Sequence, residues 1–203
     1  MKRKLKPFIL FLIGIIVCWS CGKNKPNKTD LYLQVTIDGE DYYIESGAQK
    51  YNNGYGTSGV GSIPGYFEAW EESTFAALLN NDPHKSWTIG LIKRFPYYPS
   101  DTQLDSMYHE GTYPYGVSSD RNAGVTVDGA RIEMYDESQV TWSTDLGTHD
   151  QTGSAFNVTS LTEGTEGAWY TMEATFNCKL YDESGNSKTL TNGEMRIRIG
   201  SPY

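Results

Sequence analysis

The chain has 203 residues, of which 38% are hydrophobic, 21% are charged and 13% are aromatic, and only three are Cys. This composition is too aromatic for a disordered chain, too polar for a membrane protein with several spans, and too poor in cysteine for a disulfide scaffold. The formal net charge of −8 makes nucleic acid an unfavourable partner, because the phosphate backbone repels an acidic protein.

Residues 1–20 have the pattern of a secretory signal peptide. Four basic residues precede the apolar segment 8–17. That segment is shorter than the roughly 18 apolar residues that a membrane-spanning helix needs. We therefore predict that residues 1–20 are a signal peptide and do not belong to the folded domain.

The end of this segment resembles the lipobox of bacterial lipoproteins, in which a small residue precedes a lipidated Cys. Ser20 is small and stands directly before Cys21, whereas the branched Val17 precedes the alternative Cys18. The resemblance implies that Cys21 becomes the lipidated first residue of the mature protein. Each buried lipid methylene contributes about 0.8 kcal/mol, so more than one acyl chain gives stable anchoring to a membrane.

Residues 21–29 are predicted to be the lipidated Cys and a flexible polar tether, and residues 30–203 a single β domain. The tether is basic, because it contains Lys23, Lys25 and Lys28. The domain has 10 basic residues against 25 acidic ones, which gives it a net charge of −15. This charge favours solubility and again disfavours nucleic acid as a partner.

Alternating apolar and polar residues predict β-strands through most of the domain. Segments 31–37 and 40–45 flank Asp38-Gly39, a favoured two-residue hairpin turn. Pairing Ile37 with Glu40 places the apolar residues of both segments on one face, as a half-buried hairpin requires. The further predicted strands are 66–71, 74–79, 87–94, 125–135, 140–144, 154–161, 169–181 and 187–199.

Three segments carry more local signals. Residues 71–81 fit a short helix or a strand, and we favour the strand because the Asn-Asn-Asp-Pro sequence at its end is typical of a turn. Residues 101–109 can form a turn or two of helix, with Ser100 as the N-cap. The Asn192-Gly193 step is predicted to be a β-bulge, because the apolar residues before and after it have opposite parity.

The sequence Gly54-Tyr-Gly-Thr-Ser-Gly59 matches the dinucleotide-binding pattern G-x-G-x-x-G literally. A dinucleotide site needs this glycine loop between a strand and a helix, and no helix is predicted after it, so we interpret residues 54–59 as a loop. Roughly ten short strands, turns rich in Gly, Pro and Asp, and scarce helix predict an all-β fold, either an antiparallel β-sandwich or a flattened barrel.

No catalytic site, metal site or cofactor is predicted. His84, His109 and His149 lack the i,i+2 or i,i+4 spacing of a zinc site. Cys178 falls on the apolar face of segment 169–181, where a thiol is more often a small buried hydrophobe than a nucleophile. We therefore do not expect the protein to be an enzyme.

The tyrosines provide a functional signal. Ten of the fifteen Tyr lie in two stretches rich in Gly and Pro, 42–66 and 95–115. A loop tyrosine combines a ring for stacking with a hydroxyl for hydrogen bonding, which suits glycan or protein ligands. The alternative is that these side chains fold back and cover the ends of the sheet, since large aromatic side chains usually become buried. The predicted ligand-binding residues are Tyr51, Tyr55, Tyr97, Tyr98, Tyr113 and Tyr115.

Three segments of the C-terminal third, 153–161, 173–182 and 190–199, resemble the ending of uncharacterised Bacteroidetes-type envelope lipoproteins. The last hairpin of that group has a small residue, Thr and Phe, then a polar loop and a Thr/Asn-Gly step, matched here by 174–176 and 191–193. The resemblance implies an all-β lipoprotein of the outer membrane and supplies no activity. Surface-exported members tend to have acidic tethers, so the basic tether favours the periplasm-facing leaflet.

Two functional classes remain open for this lipid-anchored domain. One is a non-catalytic binding module for glycan or protein, and the other is a structural or accessory subunit of a cell-envelope complex. A cluster of exposed tyrosines favours the module, and a flat apolar face favours the subunit. A third possibility, a lipocalin-like binder of a small apolar ligand, requires a central cavity lined by Trp87, Trp142 and Trp169.

Overall fold

The computed structural model describes residues 31–47, 51–77, 86–164 and 169–200, and their side chains except at 51–53, 57–63 and 77. The predicted signal peptide, Cys21 and the tether lie outside the described residues. Within the described ranges, no helix is long and apolar enough to cross a membrane.

Eleven strands form one antiparallel sheet that curls into a half-barrel, and the only helix of the described chain is short. The predicted all-β antiparallel fold is confirmed. The elements are β1 (Tyr32–Ile37), β2 (Glu40–Glu45), β3 (Tyr51–Ile63), β4 (Tyr66–Ala77), β5 (Ser86–Phe95), α1 (Asp101–Asp105), β6 (Gly111–Tyr113), β7 (Gly129–Tyr135), β8 (Thr141–Ser143), β9 (Ala155–Glu163), β10 (Tyr170–Tyr181) and β11 (Ser187–Ile199).

The sheet has two wings that meet at narrow joints. The first wing contains β6, β9, β10, β11, β1 and β2, and the second wing contains β8, β7, β5, β4 and β3. Between β10 and β8 a single residue pair is formed, Tyr181 with Ser143. A second link follows β6, where Tyr115 forms a bridge with Ala130 of β7. One hydrophobic core joins the wings. Both wings contribute buried side chains to it, among them Leu33 of the first wing.

The hairpin and the bulge predicted from the sequence are confirmed. In the β1–β2 pair, Ile37 lies opposite Glu40 and Leu33 opposite Ile44, so the apolar residues share one face. The register of β11 shifts at Asn192, whose φ is +53°, a left-handed value that asparagine tolerates. The next residue must be small, because a Cβ on Gly193 would lie 2.6 Å from the ring of Phe176.

The structure corrects other predictions. Residues 54–59 are not a loop but part of β3, which pairs along its length with β4. The predicted strands 66–71 and 74–79 are one continuous strand over the described part, β4, and β6 was not predicted. The strand predicted from residue 125 begins at Gly129. The preference for a strand at residues 71–77 is confirmed.

The predicted helical turn forms as α1 and packs against the core through its apolar residues. The side-chain oxygen of Gln103 accepts a hydrogen bond from the backbone N–H of Ser100 at 2.9 Å, which closes the first turn. Leu104 and the following Met107 are buried in the core. Five residues are too few for a stable isolated helix, so the apolar contacts of Leu104 and Met107 hold α1 in place.

Cys178 is buried in this core, as predicted. Burial raises the pKa of its thiol to about 12, because the thiolate would lose its hydration. Trp87 is 1% exposed and belongs to the same core, as does the mostly buried Trp142. Both side chains are thus packed among the core residues of the described sheet.

Candidate ligand-binding surface

The six tyrosines predicted to bind a ligand do not form one site. The side chain of Tyr51 lies outside the described part of the structure. Tyr55, on β3, is half-buried and its ring centroid lies 6.2 Å from that of Trp169. The guanidinium of Arg198 lies 5.9 Å from the ring of Tyr55 and 4.6 Å from that of Trp169. Tyr55 therefore takes part in contacts between the two wings.

Tyr113 and Tyr115 are used inside the fold. Tyr113 is 7% exposed, and its hydroxyl donates to the carbonyls of Met107 and His109, each at 2.9 Å. The hydroxyl of Tyr115 donates to the carbonyls of Ala155 and Asn177, at 3.2 and 3.1 Å. Burial raises the pKa of both tyrosines, so their hydroxyls stay protonated and keep donating.

Tyr97 and Tyr98 are exposed, as ligand binding requires. They are 76% and 69% exposed, and Val125 and Val127 are 51% and 41% exposed. Among the residues that the structure describes, these four are the large hydrophobic side chains with high exposure. They gather where β4 begins and β5 ends, since the ring of Tyr98 meets the ring of Phe67 edge-on, with centroids 5.6 Å apart.

The loop 116–128 brings the two valines to this place. The hydroxyl of Tyr66, at the start of β4, donates to the carbonyl of Gly124 at 2.8 Å and accepts from the N–H of Thr126 at 2.9 Å. Val127 exchanges two backbone hydrogen bonds with Val117, at 2.8 and 2.9 Å. We call Phe67, Tyr97, Tyr98, Val125 and Val127 together the aromatic patch. Tyr66, whose side chain lies on the other face of β4 from Phe67, holds the loop that carries the two valines.

The buried carboxylate of Glu68 also holds this loop in place. Glu68 is 4% exposed, and its Oε2 accepts from the N–H of Ser119 at 2.8 Å and from the hydroxyl of Thr126. The loop residue Ser118 donates its hydroxyl to Oδ2 of the buried Asp145 at 2.7 Å. The loop is therefore held in place by ionic hydrogen bonds, which are stronger than neutral ones.

Arg131 keeps Asp145 ionised. Its Nε lies 3.2 Å from Oδ2 of Asp145, and the same guanidinium pairs with Glu72 and Glu133. Burial opposes the charge of Asp145, but Arg131 and the hydroxyls of Ser143 and Ser118 outweigh it, so the pKa of Asp145 is lowered. Burial raises the pKa of Glu133. Arg131 lowers this pKa, but it only partly offsets burial and the neighbouring carboxylates, which raise it further.

A cleft of about 190 Å³ lies near the aromatic patch, since its lining residue Lys93 lies over the ring of Phe95, which pairs with Phe67. We call it the polar cleft, and the polar side chains that line it are those of Lys93, Ser106, His109, Tyr113 and Asp128. The ammonium of Lys93 donates to the carbonyl and the hydroxyl of Ser106, at 3.1 and 3.0 Å. The ring of His109 stacks on that of Tyr113, with centroids 4.2 Å apart and the planes 6° from parallel.

No protein-family model, curated protein or solved structure matches the chain.

The arrangement is suited to binding. His84 lies outside the described residues, and His149 contacts the backbone carbonyl of Asp145 through Nδ1 at 2.8 Å. Over the described ranges, no three His, Cys, Asp or Glu side chains are placed to hold a metal ion. The polar cleft combines donors and acceptors next to exposed rings. Sequence reasoning missed Lys93 and Asp128, because no periodicity links a strand residue to a loop residue so far along the chain.

Proposed function

We propose that this is a lipid-anchored protein of the cell envelope, held through Cys21 in the periplasm-facing leaflet of the outer membrane. Its β domain is a non-catalytic binding module for glycan or protein. The resemblance of residues 18–21 to a lipobox and of the C-terminal strands to envelope lipoproteins supports the location. The aromatic patch supports the module.

The observation that carries the binding function is the high exposure of Tyr97 and Tyr98, with Val125 and Val127 exposed on the neighbouring loop 116–128. Large apolar side chains of a folded domain are normally covered, and a contiguous exposed group typically marks an interaction site. Each tyrosine ring is also rigid, so little conformational entropy is lost when a ligand covers it. Trp87 and Trp142, predicted to line a central cavity, are packed in the core, which gives no comparable support to a lipocalin-like ligand.

Anchoring is tested by replacing Cys21→Ser in the full-length chain, with Cys18→Ser as the matched control. We expect Cys21→Ser to abolish acylation, seen by mass spectrometry of the N-terminal peptide, and to move the protein out of the membrane fraction. Cys18→Ser should leave both unchanged. An unacylated wild-type N-terminus would refute the anchor.

Binding is tested with the full-length protein in detergent micelles, on a glycan array and in a pull-down from envelope extracts. We expect the double variant Tyr97→Ala, Tyr98→Ala to lose the ligand. Tyr55→Ala is the matched control, because Tyr55 contacts Trp169 and lies outside the aromatic patch. A ligand retained by the double variant, or lost equally in the control, would contradict a role for the patch.

A further inference from the structure

The aromatic patch and the polar cleft lie near each other. Lys93 lines the cleft, and its ammonium lies 5.5 Å from the ring centroid of Phe95, which is paired across the strands with Phe67 of the patch. Asp128 also lines the cleft and follows Val127 of the patch, and its Oδ1 accepts from the N–H of Arg94 at 2.8 Å. A ligand lying on the patch can therefore extend towards the cleft.

We infer that the ligand of the aromatic patch is a neutral sugar chain, one end of which enters the polar cleft. This inference rests on the proposed binding function and deepens it. A sugar ring has an apolar C–H face and a rim of hydroxyls, so it needs an aromatic surface and hydrogen-bonding groups side by side. Tyr97 and Tyr98 supply the surface, and Lys93, His109 and Asp128 supply the donors and acceptors.

The size of the patch favours a glycan over a protein. A stable protein interface of standard size involves about 20–30 residues on each side. Here four side chains carry the high apolar exposure of the described chain, and the charged Asp128 directly follows one of them, Val127. A few rings beside a small polar cleft match the contact surface of a short oligosaccharide.

The charges favour a neutral glycan. The domain carries a net charge of −15, which repels uronate, sulfate and phosphate groups at long range. The two cations at the site are already engaged, Lys93 with Ser106 and Arg94 with the ring of Tyr66. No cationic cluster is left at the patch and the cleft, within the described residues, to offset that repulsion.

The test measures the affinity of the full-length protein in detergent micelles for short neutral oligosaccharides and for their uronate-containing counterparts. We expect binding of neutral chains, weakened about tenfold in Tyr97→Ala and preserved in Tyr97→Phe, which keeps the ring. His109→Ala and Lys93→Met, in the cleft, should weaken binding by a similar factor. Asp101→Asn is the matched control, because Asp101 is an exposed residue of α1 outside the cleft lining.

The outcomes test two statements separately: that the domain is a binding module, and that its ligand is a neutral sugar chain. Binding of neutral chains that depends on both patch and cleft supports the inference. Binding only of uronate-containing chains, or of a protein through Tyr97 and Tyr98, overturns the neutral sugar and leaves the binding module standing. Neutral-chain binding that is insensitive to Tyr97→Ala overturns the assignment of the ligand to the aromatic patch, and failure to bind any glycan or protein overturns both. Thermal unfolding of every variant separates lost contacts from lost folding.

Discussion

The segment between β5 and β7 contains two pairs of tyrosines that differ in burial. Tyr97 and Tyr98 are mostly exposed, whereas Tyr113 is buried and Tyr115 half-buried. The difference lies in the backbone around them, because Tyr113 and Tyr115 find carbonyl oxygens that accept their hydroxyl protons. A buried tyrosine needs such a partner for its hydroxyl. Tyrosines that are concentrated in a Pro-rich segment therefore include both residues that stabilise the fold and exposed residues that can contact a ligand.

The largest test of this contrast compares Tyr113→Ala with Tyr97→Ala. Removing the buried ring of Tyr113 leaves a cavity and should lower the free energy of unfolding by about 3–5 kcal/mol. Removing the exposed ring of Tyr97 should change it by less than about 0.5 kcal/mol. Urea denaturation of both variants measures the difference. Equal losses would show that Tyr97 is also structural and would break the contrast.

A second test addresses the loop that carries the exposed valines. Ser118→Ala removes a buried hydrogen bond to ionised Asp145, which should lower the free energy of unfolding by about 1.5–3 kcal/mol at neutral pH. The pKa of Asp145 is lowered in the fold, so the stabilisation from its charge is complete above the ordinary value near 3.9 and is lost as the pH falls through the lowered pKa.

The difference between wild type and Ser118→Ala should therefore shrink on acidification below about pH 4. Denaturation curves at a series of pH values measure this. Ser106→Ala is the control, because its hydroxyl bonds Lys93 and the backbone carbonyl of Gln103 and has no contact with Asp145. A difference that is constant down to the lowest pH would show that the ionised carboxylate is not what holds Ser118.

The smallest expected change in the free energy of unfolding follows from removing the hydroxyl of Tyr115. Tyr115→Phe keeps the ring against Phe156 and loses the bonds to Ala155 and Asn177, which should cost about 1 kcal/mol. Tyr97→Phe removes a hydroxyl that has no hydrogen-bond partner among the described residues, so this substitution should be neutral within error. Chemical denaturation of the two variants provides the comparison. No loss in Tyr115→Phe would mean that water replaces both carbonyls.

The sequence allowed those parts of the fold to be predicted that depend on neighbours in the chain. The Asp38-Gly39 turn fixed the register of β1 and β2, and the parity change at Asn192-Gly193 located the bulge. The Gly-rich β3 was missed, because glycine has a low strand propensity and this segment is a strand through its pairing with β4.

The site was predictable only in part, for the same reason. Tyr97 and Tyr98 were named from local composition, and their exposure fits the role. Tyr115 donates to Asn177, 62 positions further on, and no local pattern shows that such a partner exists. The proximity of patch and cleft likewise depends on Arg94 meeting Asp128, a contact that only the folded chain provides.

The narrow joints between the two wings affect how the domain responds to damage. Each wing is internally connected by long ladders of backbone hydrogen bonds, but among the described residues the strand pairing between the wings is limited to Tyr181 with Ser143 and Tyr115 with Ala130. Side-chain packing is therefore the main force that holds them face to face. A substitution that opens a cavity in the core would weaken the packing between the wings. We expect the wings to separate in such a variant while each keeps its own strand order.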